Sequence, residues 1–170
     1  AKKKGATDVE VGIIRSTAET VSFRNKKLDE SDRSENIGLS ITAYINKKKN
    51  SVLSSNLKTD NLEKLIERCV EAAKITPEDE FNSLPDEELF FKNSDELDLF
   101  DETHLENNQK IDYLKEAEEV AFKNKEIINT NGSSFSESKT EVVLGNSKGF
   151  KNGYNTSNFT AYCEVVSKNN

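Results

Sequence analysis

The chain has 170 residues, a formal net charge of −7, an isoelectric point near 5.0, and 34% hydrophobic against 32% charged residues. That size allows one good core or two small ones joined by a linker, and the Val, Ile, Leu and Phe content excludes a disordered chain. The acidic balance argues against nonspecific nucleic-acid binding, which needs Lys and Arg clustered on one face.

Lys2-Lys3-Lys4 and Lys47-Lys48-Lys49 read as solvated basic ends rather than a phosphate-binding patch. The next residues alternate: Val9, Val11 and Ile13, then Val21 and Phe23, then Ile37 to Ile45 without a break. Period two predicts half-buried antiparallel strands, the last with an apolar face of Ile37, Leu39, Ile41, Ala43 and Ile45. A turn at Lys47-Asn50 and a short strand over Asn50 to Ser55 follow.

The period then changes. In TDNLEKLIERCVEAAKI, Leu62, Leu65, Ile66, Cys69, Val70 and Ala73 fall on one face of an amphipathic helix. Asp60 with Glu63 forms a start resembling a capping box, and Thr76-Pro77 stops the helix because Pro disfavours helical backbone in the residue before it. From Pro77 to Glu106 the chain is acidic and aperiodic, with Phe81, Leu84, Leu89, Phe90, Leu97, Leu99 and Phe100 at irregular intervals. A free loop of that length is unusual in a compact domain, so an anchored linker is expected. A second helix follows over roughly Asn108 to Lys125, facing Ile111, Leu114, Ala117, Ala121 and Phe122 inward. Strands at Ile127-Ile128, Glu141 to Leu144 and Phe159 to Val165 close the chain, the last alternating Phe159, Ala161, Cys163 and Val165 inward.

The predicted fold is α+β, with antiparallel or mixed sheets and packed helices in the order sheet, helix, linker, helix, sheet. The expected divisions are 1–76, an acidic anchored linker over 77–106, and 107–170. An internal echo suggests duplication of a β-rich unit: Glu19 to Ile45 and Thr140 to Val165 share a strand, a polar turn and a long alternating strand, with Thr42-Ala43-Tyr44 answering Thr160-Ala161-Tyr162.

Chemistry is sparse. His104 is the one histidine and reads as a surface residue; the cysteines, Cys69 and Cys163, lie far apart in sequence and read as buried reduced thiols. No zinc ligand set and no nucleophile elbow is present. Asp95-Glu96, Asp98 and Asp101 lack EF-hand spacing and read as solvated acids. In GNSKGFKNGY, Gly145 to Tyr154, the glycines invite a phosphate-loop reading, but no helix opens there, and Asn146-Ser147-Lys148-Gly149 fits a hairpin turn. The residues therefore offer no catalytic, cofactor-binding or metal-binding position. No apolar run approaches a membrane span of roughly 20 residues and no signal peptide is visible, so a cytoplasmic protein without membrane or nucleic-acid partners is expected.

The run VSFRNKKLDESDRSENIGLSITAYI, the segment SVLSSNLKTDNLEKLIERCVEAAKITPEDEFNSLPDEEL, then DELDLFD, a helix and TNGSSFSESKTEVVLGNSKGF together resemble the amino-terminal part of the PmbA/TldD family, on its PmbA/TldE side. The family is historically labelled modulators of DNA gyrase. The resemblance covers nearly the whole chain, with the Pro-Glu-Asp and Asp95 to Asp101 linker and the Gly145 to Phe150 turn as its most specific elements. It implies a non-catalytic region of a subunit in a zinc metallopeptidase complex, with a TldD-like partner that carries an HExxxH zinc motif in a later part of its chain. It further implies extended or unfolded peptide substrates, in roles such as microcin maturation and antitoxin removal, and a large carboxy-terminal domain beyond this stretch. No family site residue maps onto this sequence. The alternatives are a stand-alone module that captures a peptide by sheet-edge addition, and a gyrase-interacting regulator.

Overall fold

The computed structural model describes residues 1–92 and 97–168. Strands β1 (Asp8–Arg24), β2 (Lys27–Ile45), β3 (Lys48–Ser54), β4 (Ile127–Asn146) and β5 (Lys151–Ser167), with helices α1 (Thr59–Ile75) and α2 (Asn107–Ala121), make an α+β fold. The strands form one antiparallel five-stranded sheet in the order β3-β2-β1-β4-β5, so strands from the two ends of the chain meet at β1 and β4. No helix among the described residues is long and apolar enough to cross a membrane.

Two of the hairpins turn on a pair of residues with positive φ, Asn25 (50°) with Lys26 (61°) and Asn46 (47°) with Lys47 (67°). Paired left-handed residues are the signature of the type I′ turn, whose twist matches that of the flanking strands. Asn adopts that conformation readily, whereas each Lys carries a cost of about 1 kcal/mol. The second turn thus falls at Asn46-Lys47 instead of Lys47-Asn50, and β3 begins at Lys48. Its register runs from Ile45 opposite Lys48 to Leu39 opposite Ser54. The echoed stretches of sequence are both hairpins, β1–β2 and β4–β5.

β1 is one continuous strand, and β2 begins ten residues before its alternating part. Its first half, Lys27 to Glu35, is exposed almost throughout, so no apolar face announced it. Leu39, Ile41 and Ala43 are buried as expected, Ile45 is half-buried, and Ile37 is exposed. On β5, the terminal strand of the sheet, the expected inward residues Phe159, Ala161 and Val165 are exposed and Cys163 is half-buried, and neither core cluster includes a β5 residue.

Contacts group the residues into two units, each drawing on distant stretches: Ala1–Arg15, Asn36–Leu97 and Glu141–Asn155 in the first; Ser16–Glu35, Asp98–Thr140 and Thr156–Asn170 in the second. In the first, Leu65, Cys69, Val70 and Ala73 of α1 pack on Leu39, Ile41 and Ala43 of β2. Full burial of each Leu, Ile or Val there contributes about 1.5 to 3 kcal/mol. Cys69 is a buried free thiol whose S–H lies within reach of the Ile41 and Asn50 carbonyls. The helix stops at Ile75, with Thr76 extended before Pro77 as predicted. Its start differs from expectation: the N-cap is Lys58, with no side-chain cap. The capping box belongs to α2, where the Glu106 side chain accepts from the Gln109 N–H and Gln109 Oε1 accepts from the Glu106 N–H.

The acidic linker has no regular structure beyond a single 3-10 turn at Glu87–Leu89 among its described residues. Leu84 is buried, and the Phe90 ring lies 5.3 Å from that of Phe150. Phe81, Leu89, Leu97, Leu99 and Phe100, also expected to anchor it, are exposed. In the second unit, the linker is held instead by main-chain bonds: the Ser157 N–H donates to the Leu99 carbonyl and the Asp101 N–H to Ser157 Oγ.

The Gly145 to Tyr154 loop is a hairpin turn. Asn146 Oδ1 accepts from the N–H groups of Lys148 and Phe150, and Gly149 sits at φ +93°. The Lys148 ammonium points to the Pro85 carbonyl at 3.1 Å and lies 3.9 Å from Asp86. Gly153 is required by close approach, since a Cβ there would stand 2.5 Å from the Val142 carbonyl oxygen, whereas one at Gly38 would meet nothing within 4 Å. Gly153→Ala is expected to lower unfolding stability by about 1 to 3 kcal/mol, as overpacking does. Gly38→Ala is expected to be neutral or to stabilise by up to about 1 kcal/mol through the unfolded chain; urea denaturation of both variants checks the contrast.

Candidate functional site

The second unit has few large apolar groups at its centre: Val21 and Phe23 of β1, Leu114 of α2 and Phe135 of β4, with Leu105 and Ile111 beside them. The residues one turn either side of Leu114 on the helix are Lys110 and Glu118, and both are buried. Positions i, i+4 and i+8 share one helical face, so α2 presents a cation, a leucine and an acid to the sheet. The residues expected to face inward do so only in part: Leu114 is buried, Ile111, Ala117 and Ala121 are half-buried, and Phe122 is exposed.

Burying a charge requires partners. The Lys110 ammonium, wholly removed from solvent, lies 3.0 Å from Glu19 Oε2 on β1 and 3.2 Å from Glu137 Oε2 on β4. The remaining carboxylate oxygens are also taken. Glu19 Oε1 accepts from Arg33 on β2 at 2.8 Å, and Glu137 Oε1 receives His104 Nδ1 at 3.1 Å with Lys139 Nζ at 3.6 Å. The Leu105 N–H adds a contact to Glu137 Oε2 at 3.4 Å. Glu118 engages the β1–β2 turn, its Oε2 accepting from the Lys26 N–H at 3.1 Å, while its Oε1 has no hydrogen-bond partner.

Both cluster carboxyls are shifted. The hydrogen bond from Lys110 holds Glu19 below the usual carboxylate range against the opposing effect of burial, helped by the charges of Lys110, His104 and Arg33. For Glu137 burial is the largest influence and acts upward, but the hydrogen bonds from His104 and Lys110, with the Lys110 charge, outweigh it and leave the carboxyl lowered.

Thr17, Glu19, Arg33, His104, Glu137 and Lys139 line an open cavity of about 290 Å³ within this unit. His104, read from sequence as a plain surface residue, is half-exposed there and tied to a buried acid. Nothing in its sequence neighbourhood signals this, because its partner lies 33 residues away. Glu19, His104 and Glu137 bring their ligand atoms within 4.8 Å of one another, the one such grouping among the described residues. The donor set nevertheless does not suit a metal. All four carboxylate oxygens already face cationic donors, and a divalent ion about 4 Å from the Lys110 ammonium would meet a repulsion of about 8 kcal/mol at an effective dielectric near 20. Lys110 itself occupies the role of the cation. Of the acids weighed from sequence as calcium ligands, Asp98 is exposed, Asp101 accepts from the Thr103 N–H, and Asp95 and Glu96 lie outside the described residues.

Comparison with known proteins points one way. A family profile described as PmbA/TldA metallopeptidase domain 1 matches residues 9–73, and one described as the central domain matches residues 100–170. The chain is 27% identical over 167 residues to a metalloprotease PmbA homologue of Haemophilus influenzae, covering 98% of this chain and 37% of that protein. It is 31% identical over 163 residues to the PmbA homologue of Buchnera aphidicola subsp. Acyrthosiphon pisum, covering 94% and 36%. The fold matches the crystal structure of a candidate modulator of DNA gyrase from Bacteroides thetaiotaomicron with a TM-score of 0.89 at 23% identity, covering 98% of this chain and 38% of that one. It matches TldE from Thermococcus kodakarensis with a TM-score of 0.72 at 19% identity, covering 98% and 38%. The chain thus spans little more than a third of the length of these relatives.

The ion cluster has a measurable signature. Replacing the ammonium with an isosteric apolar chain, Lys110→Met, leaves two carboxylates facing each other without their shared cation, and is expected to cost about 3 to 5 kcal/mol near pH 7. Because both folded-state carboxyls are lowered, their contribution is complete above the unfolded value of about 4.3 and is lost as pH falls through the folded values. The difference between wild type and Lys110→Met is therefore expected to shrink on acidification, as followed by denaturant unfolding between pH 7 and pH 3.

Proposed function

The chain belongs to the PmbA/TldD family, and from that premise we propose that it is the non-catalytic, amino-terminal region of a PmbA/TldE-type subunit in a cytoplasmic zinc metallopeptidase that matures or degrades peptides. The observation that carries this reading is the pair of family matches, domain 1 over residues 9–73 and central domain over residues 100–170. The curated relatives are named metalloproteases, and one solved neighbour is named TldE.

The geometry is consistent with a supporting role. Glu19 and Glu137 neutralise Lys110 and Arg33, and His104 is bonded to Glu137, so the three do not fit a zinc ion, and in this reading no hydrolytic step runs through them. In this reading the metal and the reacting groups lie in the TldD-like partner, and this region contributes scaffold and contact surface to a heteromeric assembly acting on extended peptides.

A second reading, capture of an extended peptide by strand addition, is favoured by β5, the terminal strand of the sheet, which carries exposed Phe159, Tyr162 and Val165. Main-chain groups on such an edge supply affinity and alternate side chains supply specificity.

The experiment that separates the two readings is reconstitution. The full-length protein is expected to co-elute with its TldD-like subunit and to support peptide hydrolysis only in that subunit's presence. Stoichiometric zinc on the full-length protein alone, measured by elemental analysis together with unaided cleavage of an unfolded peptide, would overturn the assignment.

A further inference from the structure

We propose that the cavity between Arg33, His104 and Lys139 is a binding site for a small carboxylate, such as the free carboxy-terminal group of a peptide. The argument begins with charge. Each acid in the wall meets two cations, Glu19 facing Lys110 and Arg33, and Glu137 facing Lys110 and Lys139. Asp101, exposed and with its carboxylate turned to the Thr103 N–H, is close enough to Lys139 to feel its charge. In a chain of net charge −7, a concave site whose cations match its acids in number is a local exception.

The second step concerns which groups remain free to bind. The carboxylates are spent, since each oxygen already accepts from Lys110, Arg33 or His104. The donors are not spent. Arg33 uses one guanidinium nitrogen on Glu19, and its side chain is 70% exposed; its fork still offers a pair of parallel N–H groups, the geometry that matches a carboxylate. Thr17 brings a hydroxyl to the same wall. His104 donates through Nδ1 to the ionised Glu137, and once protonated it also offers Nε2–H. Lys139 donates to the Glu102 carbonyl at 3.0 Å and keeps its charge at the rim.

The site is also built, not merely exposed. Behind it stand two charged side chains almost wholly removed from solvent, Lys110 and Glu137. They fix Glu19 and His104, which in turn orient the donors, so the ligand would meet preset groups. About 290 Å³ of open space accommodates a carboxylate with one small residue attached. The two acids in the wall oppose a phosphate dianion more than a carboxylate, and the Lys110 ammonium repels a divalent cation. Glu19 from β1, Arg33 from β2, Lys110 from α2, Glu137 and Lys139 from β4, and Asp101 from the segment before α2 complete the charged groups around it. The inference stands apart from the metallopeptidase reading and holds or fails without it.

The His104 ring, its signals assigned by their loss in His104→Gln, is the probe. N-acetylglycine titrated into the purified full-length protein is expected to move the His104 ring C–H resonances saturably. Arg33→Gln, at an exposed position, is expected to weaken binding about tenfold, as the loss of a charge-assisted fork does. The proposal is overturned by no saturable shift, by an equal shift with neutral N-acetylglycinamide, or by unchanged affinity in Arg33→Gln. Tighter binding of inorganic phosphate would overturn the carboxylate assignment, and broadening of the His104 signals by equimolar Mn²⁺ would reverse the sign of the site.

Discussion

The second unit depends on one buried ammonium. Its apolar core is built around four buried side chains, Val21, Phe23, Leu114 and Phe135, too few to dock a helix by hydrophobic burial alone. Lys110 supplies the rest by joining α2 to two strands at once, with Glu19 on β1 and Glu137 on β4. Such a bridge is a weak source of net stability, because desolvating three charges costs nearly what their attraction returns. It is a strong source of specificity. A helix shifted by one residue would bury an unpaired charge, and no apolar contact in this small core could offset that.

The two helices show which parts of the fold were legible. α1 could be read along its inward face because each buried position is apolar, and Thr76-Pro77 marks its end, whereas its start, capped at Lys58 and not Asp60, was missed. The second helix was legible as a helix but not in its orientation. The inward face drawn through the apolar residues Ile111, Leu114, Ala117, Ala121 and Phe122 left out the charged Lys110 and Glu118, which are buried, and of its own members only Leu114 is fully buried. The same limit hid the candidate site. Glu19, Arg33, His104, Lys110 and Glu137 come from four elements and the segment before α2, and no local spacing relates them. Charge pairing across a sheet leaves no period in the sequence, whereas hydrophobic burial does.

The strands repeat the lesson in another form. Alternation revealed the part of β2 that packs under α1 and missed Lys27 to Glu35, where both faces are exposed. That stretch is paired to β1, yet β3 reaches only Leu39, so its outer side is an open edge. It carries Lys27, Asp29, Glu30, Asp32, Arg33 and Glu35. Dense charge on an open edge discourages pairing with another chain. The polarity that hid this strand from pattern reading is therefore a requirement of its position.

The contrast between the cores has a consequence for how the protein responds to its surroundings. Packing of Leu65, Val70 and Ala73 on Leu39 and Ile41 involves no titrating group and is little affected by salt. Docking of α2 rests on carboxylates held in their ionised form by Lys110, Arg33 and His104. Acid removes that support, while salt screens the buried Lys110 pairs far less than the exposed Arg33 contact. The ion cluster also shapes the cavity in front of it, so the feature that compensates for a small core sets the charge of the only candidate binding site among the described residues of that unit. A neutral, better-packed core would stabilise α2 as well, but it would leave His104 and Arg33 without the partners that hold them in place.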